Sequence, residues 1–184
     1  MKKTIICLFI ILIAVAAALP AQQSTGSGGL AAGIGASVMV PAGDFTDVTG
    51  PAFGNSIETR WSGLFPHAEL RLKAAYYYCS SPCNITTSYQ AVSAAVSGGY
   101  PFFLNERIHL TPLVGLGVLC HVTEDIFYED PKGYADPFLT AGAGLDVYVL
   151  ENLSLNALPE YTLFFEQDCC GMLFNFDLGL CCHF

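Results

Sequence analysis

The segment from Met172 to Phe184 constrains the fold most strongly, because its polarity alternates with a period of two. One alternate set is entirely apolar: Met172, Phe174, Phe176, Leu178, Leu180, Cys182 and Phe184. The other set is mostly polar or small: Leu173, Asn175, Asp177, Gly179, Cys181 and His183. Successive side chains of a β-strand point to opposite faces, so the pattern predicts a long strand with one apolar and one polar face. Such a strand suits a wall between lipid and a wet interior.

The other end of the sequence has the organisation of a secretory signal peptide. A basic start, Met1-Lys2-Lys3, precedes an almost wholly apolar run over residues 4–19, and then small residues and Pro20 follow. We expect a signal peptide over residues 1–21, cleaved after Ala18 or Ala21, and a single mature domain over residues 22–184. A membrane-spanning helix is the less favoured alternative because the apolar run is short for a full span.

The composition narrows the class of the mature chain. The whole sequence is 53% hydrophobic and only 12% charged, yet no mature segment has the long apolar run of a membrane helix. Without Lys2 and Lys3, five basic residues remain against sixteen acidic ones, a net charge of 5 − 16 = −11. We therefore do not expect the protein to bind nucleic acid, because such binding requires a basic patch.

Alternation recurs along the mature chain and predicts eight strands. They cover residues 29–41, 52–61, 66–78, 89–100, 108–122, 137–150, 153–165 and 172–184. The connections alternate in length, and the long ones cover residues 42–51, 79–88, 123–136 and 166–171. An even number of antiparallel strands closes a sheet without a free edge. The predicted fold is all-β, an eight-stranded antiparallel transmembrane up-and-down β-barrel.

Gly115–Val118 (Gly-Leu-Gly-Val), Ala141–Leu145 (Ala-Gly-Ala-Gly-Leu) and Phe184 complete this pattern. With them, the mature chain resembles the small eight-stranded bacterial outer-membrane barrels of the OmpA/OmpX/OmpW type. The resemblance implies export to the bacterial outer membrane, contact with outer-membrane lipid, and recognition of Phe184 by the barrel-assembly machinery. Barrels of this kind usually have few cysteines, and seven remain here after removal of the signal peptide.

Nine ionisable residues fall on the faces expected to line the barrel interior: Glu58, Arg60, His67, Glu69, Arg71, Lys73, Asp146, Glu160 and Asp177. An eight-stranded barrel is about filled by its own side chains, and buried charges need partners. We therefore expect a structural network of ion pairs. The alternative is a gated or selective pore, in which a pair such as Glu160 and Arg71 acts as a latch.

The connection over residues 123–136 is strongly acidic. Its carboxylates are Glu124, Asp125, Glu129, Asp130 and Asp136, and its only basic residue is Lys132. A solvated acidic surface is one interpretation. The other is a binding site for divalent cations or for a basic host or extracellular surface.

The cysteines suggest two further sites. Cys79 and Cys83 lie in one external loop of an exported chain, which makes them the candidate disulfide. Cys120, His121, Cys169 and Cys170 map to the same rim, where thiolates and an imidazole would suit a soft metal such as zinc. Because no standard ligand spacing is present, we assign no metal and no cofactor.

Function is less constrained than fold. No nucleophile has a supporting histidine and carboxylate at a suitable spacing, so we do not expect an enzyme. The favoured interpretation is an outer-membrane barrel with a structural or surface-interaction role carried by its extracellular loops. The first alternative is a narrow channel or transporter for small, including hydrophobic, solutes. The second is a soluble lipocalin-like carrier, in which the apolar face would point inward.

Overall fold

A computed structural model describes residues 29–47, 49–65, 67–79, 86–125, 132–165 and 170–184. Almost all of these residues lie in strands. In chain order the strands are β1 Leu30–Ala42, β2 Ala52–Phe65, β3 Ala68–Cys79, β4 Thr86–Gly99, β5 Phe102–Phe103, β6 Ile108–Asp125, β7 Lys132–Leu150, β8 Leu153–Phe165 and β9 Cys170–His183. A short 3₁₀ helix, Gly43–Asp47, follows β1.

The strands form one closed antiparallel sheet. Neighbouring strands follow the order β4-β3-β2-β1-β9-β8-β7-β6, and pairing of β4 with β6 closes the ring. The two-residue β5 lies in the β4–β6 connection and pairs only with the start of β6. Eight long strands in the described part of the chain therefore make the wall of a barrel, which confirms the predicted fold. Among the described residues, no helix is long and apolar enough to cross a bilayer.

The barrel has two different ends. The connections β2–β3, β4–β6 and β7–β8 meet at one end, together with Gly29 and Phe184. We call this the short-loop end. The strand ends that flank the connections β1–β2, β3–β4, β6–β7 and β8–β9 lie at the opposite, long-loop end. The predicted acidic connection is shorter than expected, because β6 continues to Asp125 and β7 already begins at Lys132. Glu129 and Asp130 lie outside the described residues.

The wall separates an apolar exterior from a largely polar interior. Large apolar side chains are exposed on the outer face, among them Ile34 at 63%, Leu116 at 62% and Leu178 at 54%. Charged side chains are buried inside, with Arg60 and Arg71 each 2% exposed. In β9 the predicted register is confirmed, since Phe174, Leu178 and Leu180 are exposed whereas Asn175 and Asp177 are buried. A soluble carrier would require the reverse arrangement.

Candidate functional site

The interior of the half nearest the short-loop end is crossed by an ion-pair network centred on Arg60. The guanidinium of Arg60 on β2 contacts Glu58 of the same strand and Asp146 of β7. Its Nη1 lies 2.8 Å from both carboxylate oxygens of Asp146. Asn156 adds a bond to the same carboxylate, with Nδ2 donating to Oδ1 at 3.0 Å. Because β1, β9 and β8 separate β2 from β7, this pair spans the barrel.

Arg71 on β3 extends the same network. Its Nη2 and Nε donate to Oε1 of Glu69 at 2.7 and 3.2 Å. Its Nη1 also lies 3.4 Å from Oε2 of Glu58. Interior glycines leave room for these groups: a Cβ on Gly144 would lie 3.0 Å from Nη2 of Arg71, and one on Gly33 would lie 3.1 Å from Cγ of Glu58. Small residues opposite large charged ones are what a narrow barrel interior requires.

A second ion-pair group lies nearer the middle of the barrel. Lys73 on β3 contacts Glu160 of β8, and its Nζ lies 2.9 Å from Oδ2 of Asp177 on β9. The hydroxyl of Ser37 donates to Oδ1 of Asp177. A Lys73–Glu160 pair replaces the Glu160–Arg71 pair that the sequence suggested, since Arg71 is taken up by Glu69 and Glu58.

Eight of the nine residues predicted for the interior take part in these two groups, and His67 does not. His67 is exposed in the β2–β3 turn and has a left-handed backbone with φ of 59°. Strand alternation therefore stops before this residue, which joins neither ion-pair group and instead lines the open cavity at the barrel mouth described below. Its ring lies 6.1 Å from that of Tyr100, at the short-loop end.

The other half of the interior is mostly apolar, which strand alternation does not predict. A cluster of buried side chains fills it: Met39, Phe45, Ala52, Ala75, Tyr77, Cys79, Tyr89, Ala91, Ala95, Leu119, Phe138, Phe164 and Leu173. A gap beside Lys73 and Tyr77 measures about 20 Å³. A gap of this size holds about one water molecule. Around Lys73 and Tyr77, the middle of the described interior is thus packed rather than open.

Phe45 closes this apolar half at the long-loop end. The 3₁₀ helix Gly43–Asp47 carries the Phe45 ring into the barrel, where it is only 6% exposed. The ring centroid lies 4.7 Å from Phe164 and 6.1 Å from Tyr89, in edge-to-face contact with both. We call Phe45, Tyr89 and Phe164 the aromatic cap. Because Phe45 lies in a connection without strand periodicity, alternation does not predict its burial.

Below the cap, His121 and Asp136 face each other inside the barrel. Nδ1 of His121 lies 3.5 Å from Oδ2 of Asp136, and both residues are buried. Asp136 was predicted in an exposed acidic loop; that placement is wrong, because the residue lies on the inner face of β7. His121 and Cys120 were proposed to share a metal site, but Cys120 is exposed on the opposite face of β6. The structure therefore does not bring these two together.

The structure describes only one cysteine of each remaining predicted pair. Cys79 is a buried free thiol on β3, and its expected partner Cys83 lies outside the described residues. Cys170 is exposed at the start of β9, and Cys169 lies outside the described residues. Within the ranges that the structure covers, no three His, Cys, Asp or Glu side chains are grouped closely enough to hold a metal ion. The disulfide stays a prediction.

The short-loop end has an open cavity of about 500 Å³, which we call the vestibule. Arg60, Glu69 and Asp146 line its inner part. One wall is a series of four rings, Phe103, His109, Tyr148 and His183, with successive centroids 4.6, 4.6 and 4.7 Å apart. His183 is held at both nitrogens, by the Ser154 hydroxyl at 2.9 Å and the Tyr148 hydroxyl at 3.3 Å.

Comparison with known proteins supports the fold. No family model and no curated protein matches the sequence. Among solved structures, Ail of Yersinia pestis in complex with the heparin analogue sucrose octasulfate is 20% identical, with a TM-score of 0.60, and covers 86% of this chain and 100% of Ail. Neisserial surface protein A is 14% identical, with a TM-score of 0.62, and covers 85% of this chain and 98% of that protein.

The N-terminal β-barrel domain of Pseudomonas aeruginosa OprF is 19% identical, with a TM-score of 0.51, and covers 85% of this chain and 99% of that domain. At this identity the similarity concerns the fold. The chain thus has the fold of the small eight-stranded outer-membrane β-barrels, and the resemblance inferred from its sequence is confirmed at that level.

Proposed function

We propose that this protein is an integral barrel of the bacterial outer membrane that presents its long loops to partners outside the cell. The apolar outer face supports the membrane location, since Val114, Leu116 and Leu139 are each more than half exposed. Side chains of this kind around the middle of a barrel wall match a lipid-facing band. Outer-membrane lipid is then the first partner of the chain.

The observation that carries the proposed role is the packed interior. Ion pairs cross the barrel beneath the vestibule, and mostly apolar side chains fill the half under the aromatic cap. A barrel filled in this way is a rigid support rather than an aqueous conduit. For the channel alternative, the interior would have to open. Planar-bilayer recordings of the folded wild-type protein are therefore expected to show no events above background, and step-like conductance would contradict the proposal.

The lengths of the connections support one orientation of the barrel in the outer membrane. In outer-membrane barrels the short turns face the periplasm and the longer loops face outward. The short-loop end then lies at the periplasm, where Phe184 would engage the barrel-assembly machinery. Residues 1–21 would act as the export signal. These assignments come from the sequence and remain part of the proposal.

The long loops favour a cationic partner. Between them, and at the strand ends beside them, the sequence has eight acidic residues and one basic residue, Lys132; the acidic ones are Asp44, Asp47, Glu124, Asp125, Glu129, Asp130, Glu166 and Asp168. Ail was crystallised with a polyanionic sulfated sugar, whereas the sign of charge here is opposite. We propose that the loops attract divalent cations or a basic host surface through this field. The proposal needs neither a catalytic residue nor a cofactor.

Two measurements test the proposal. Fractionation followed by gel electrophoresis with and without boiling should place the protein in the outer membrane and give a heat-dependent mobility shift. Recovery in the soluble periplasm without a shift would contradict the membrane assignment.

For the loops, Glu124, Asp125, Glu129 and Asp130 are replaced together by their amides, and binding of fluorescent polylysine to cells is measured. We expect binding to fall by several-fold while the heat-dependent shift persists. A control for loss of charge elsewhere neutralises Glu106 and Glu151, which are exposed at the short-loop end. Equal binding by wild type, variant and control would contradict the loop assignment.

A further inference from the structure

The vestibule at the short-loop end combines an open cavity with an excess of negative charge. Its volume of about 500 Å³ is within the range of small-molecule sites. The ion-pair network around Arg60 contains two guanidinium groups, those of Arg60 and Arg71, and three carboxylates, those of Glu58, Glu69 and Asp146. Its formal charge is 2 − 3 = −1.

This charge is open to a ligand only from the vestibule. Toward the middle of the barrel, the Lys73 group has one cation and two carboxylates, 1 − 2 = −1, so it offers no compensating charge. Beyond it lies the apolar half under the aromatic cap. Arg107, the remaining arginine described at this end, is exposed in the β4–β6 connection and does not line the vestibule. Three histidines do line it, His67, His109 and His183, and they are uncharged when neutral.

Glu69 is the carboxylate best placed for a ligand. Both hydrogen bonds from Arg71 reach its Oε1, so Oε2 receives none from Arg71. Asp146, by contrast, has both oxygens bound by Arg60 and a further bond from Asn156. Arg60 itself is 2% exposed and already engaged by two carboxylates, so it offers little to an anion.

The walls favour an organic cation over a hydrated inorganic one. Phe103 is 68% exposed and is in edge-to-face contact with the His109 ring. Pro101 and Leu30 add apolar surface to the cavity. Aromatic rings attract cations through their negative faces, and they also favour contact with methyl groups. We propose that the vestibule binds a monovalent organic cation, such as a substituted ammonium ion, with Glu69 as its counter-charge and Phe103 as its apolar contact.

The test uses the full chain folded in a non-ionic detergent without choline groups. Binding of benzyltrimethylammonium is measured by calorimetry, with benzyl alcohol as the neutral comparison and benzenesulfonate as the anionic one. We expect saturable binding at one site for the cation alone. Glu69→Gln should weaken it by about fivefold, the effect of losing one partly exposed charge contact.

A matched control is Glu106→Gln, which removes the same charge at the same end but outside the cavity. It should leave the affinity unchanged. Phe103→Ala provides a second variant that does not touch the ion pairs, and it should weaken binding by a few-fold.

Four results would overturn the proposal. The first is binding of the neutral or anionic compound as tight as that of the cation, and the second is an affinity that neither site variant changes. The third is the same loss of affinity in the Glu106 control. The fourth is competition by sodium or potassium chloride as effective as that by the organic cation at matched ionic strength. A normal heat-dependent gel shift in each variant separates loss of binding from loss of folding. The outcome does not depend on the proposed role of the long loops.

Discussion

Arg60 and Asp146 form a bridge across the barrel, with Nη1 of the arginine 2.8 Å from each carboxylate oxygen. They belong to strands that do not pair with each other, β2 and β7. The bridge therefore ties opposite parts of the wall together in a way that the backbone ladder does not. Both side chains are almost fully buried in the intact pair, so each depends on the other for compensation of its charge.

Replacing Asp146 by Ala should lower the free energy of unfolding by about 3–5 kcal/mol, because a buried guanidinium loses its main partner. The urea midpoint of the folded protein in lipid vesicles measures the change. Glu151→Ala, at an exposed turn position, should change the stability by no more than about 0.5 kcal/mol. Equal midpoints for the two variants would mean that the bridge does not hold the wall.

A glycine pair tests how closely the interior is packed. Gly144→Val adds atoms within about 3.0 Å of the Arg71 guanidinium, and overpacking of this kind costs about 1–3 kcal/mol. Gly98→Val is the matched change on the outer face, where a Cβ would meet no atom within 4 Å. We expect only the first variant to lower the urea midpoint substantially. A larger fall in the urea midpoint for the Gly98 variant would show that the tight packing lies on the outer face and not in the interior.

The aromatic cap should protect the thiol of Cys79, which belongs to the same buried cluster as Phe45. Phe45→Ala removes the ring that closes this end of the barrel. In the reduced protein, we expect faster alkylation of Cys79 by a water-soluble maleimide, measured for each peptide by mass spectrometry. Cys181, fully buried in the other half of the interior, serves as the internal reference and should stay unreactive. An unchanged Cys79 rate would show that Phe45 does not seal the interior.

A lysine scan of the outer face tests the lipid-facing band. Leu116 lies near the middle of β6, and Leu150 ends β7 at the short-loop end. Leu116→Lys should cost about 2–4 kcal/mol in lipid vesicles, and Leu150→Lys about 0–1 kcal/mol, because the cost of a charge falls toward the interface. The ratio of the two losses in unfolding free energy is the readout. Equal small losses would argue that water, not lipid, covers this face.

Strand alternation was sufficient to predict which charged residues point inward. It succeeded from Glu58 to Asp177 because a period of two fixes the face of every residue within a regular strand. It does not apply to His67, where the left-handed turn breaks the period, and it failed at Asp136, which belongs to β7 rather than to a loop.

The sequence could not predict which charged residues pair across the barrel. Whether Glu160 meets Lys73 or Arg71 depends on strand tilt and stagger, which a single strand's pattern does not contain. Phe45 was missed for a different reason. Its burial follows from the path of a connecting segment, and no repeat in the sequence encodes that path.

The bridges between non-adjacent strands also bear on how such a protein can change over generations. Arg60–Asp146 and Lys73–Glu160 fix the cross-section of the wall from inside, without help from the long connections. Apart from the buried Phe45, mutations in those connections can then accumulate, or their lengths change, while the support beneath them keeps its shape. A scaffold braced in this manner lets those connections diversify at little risk to folding.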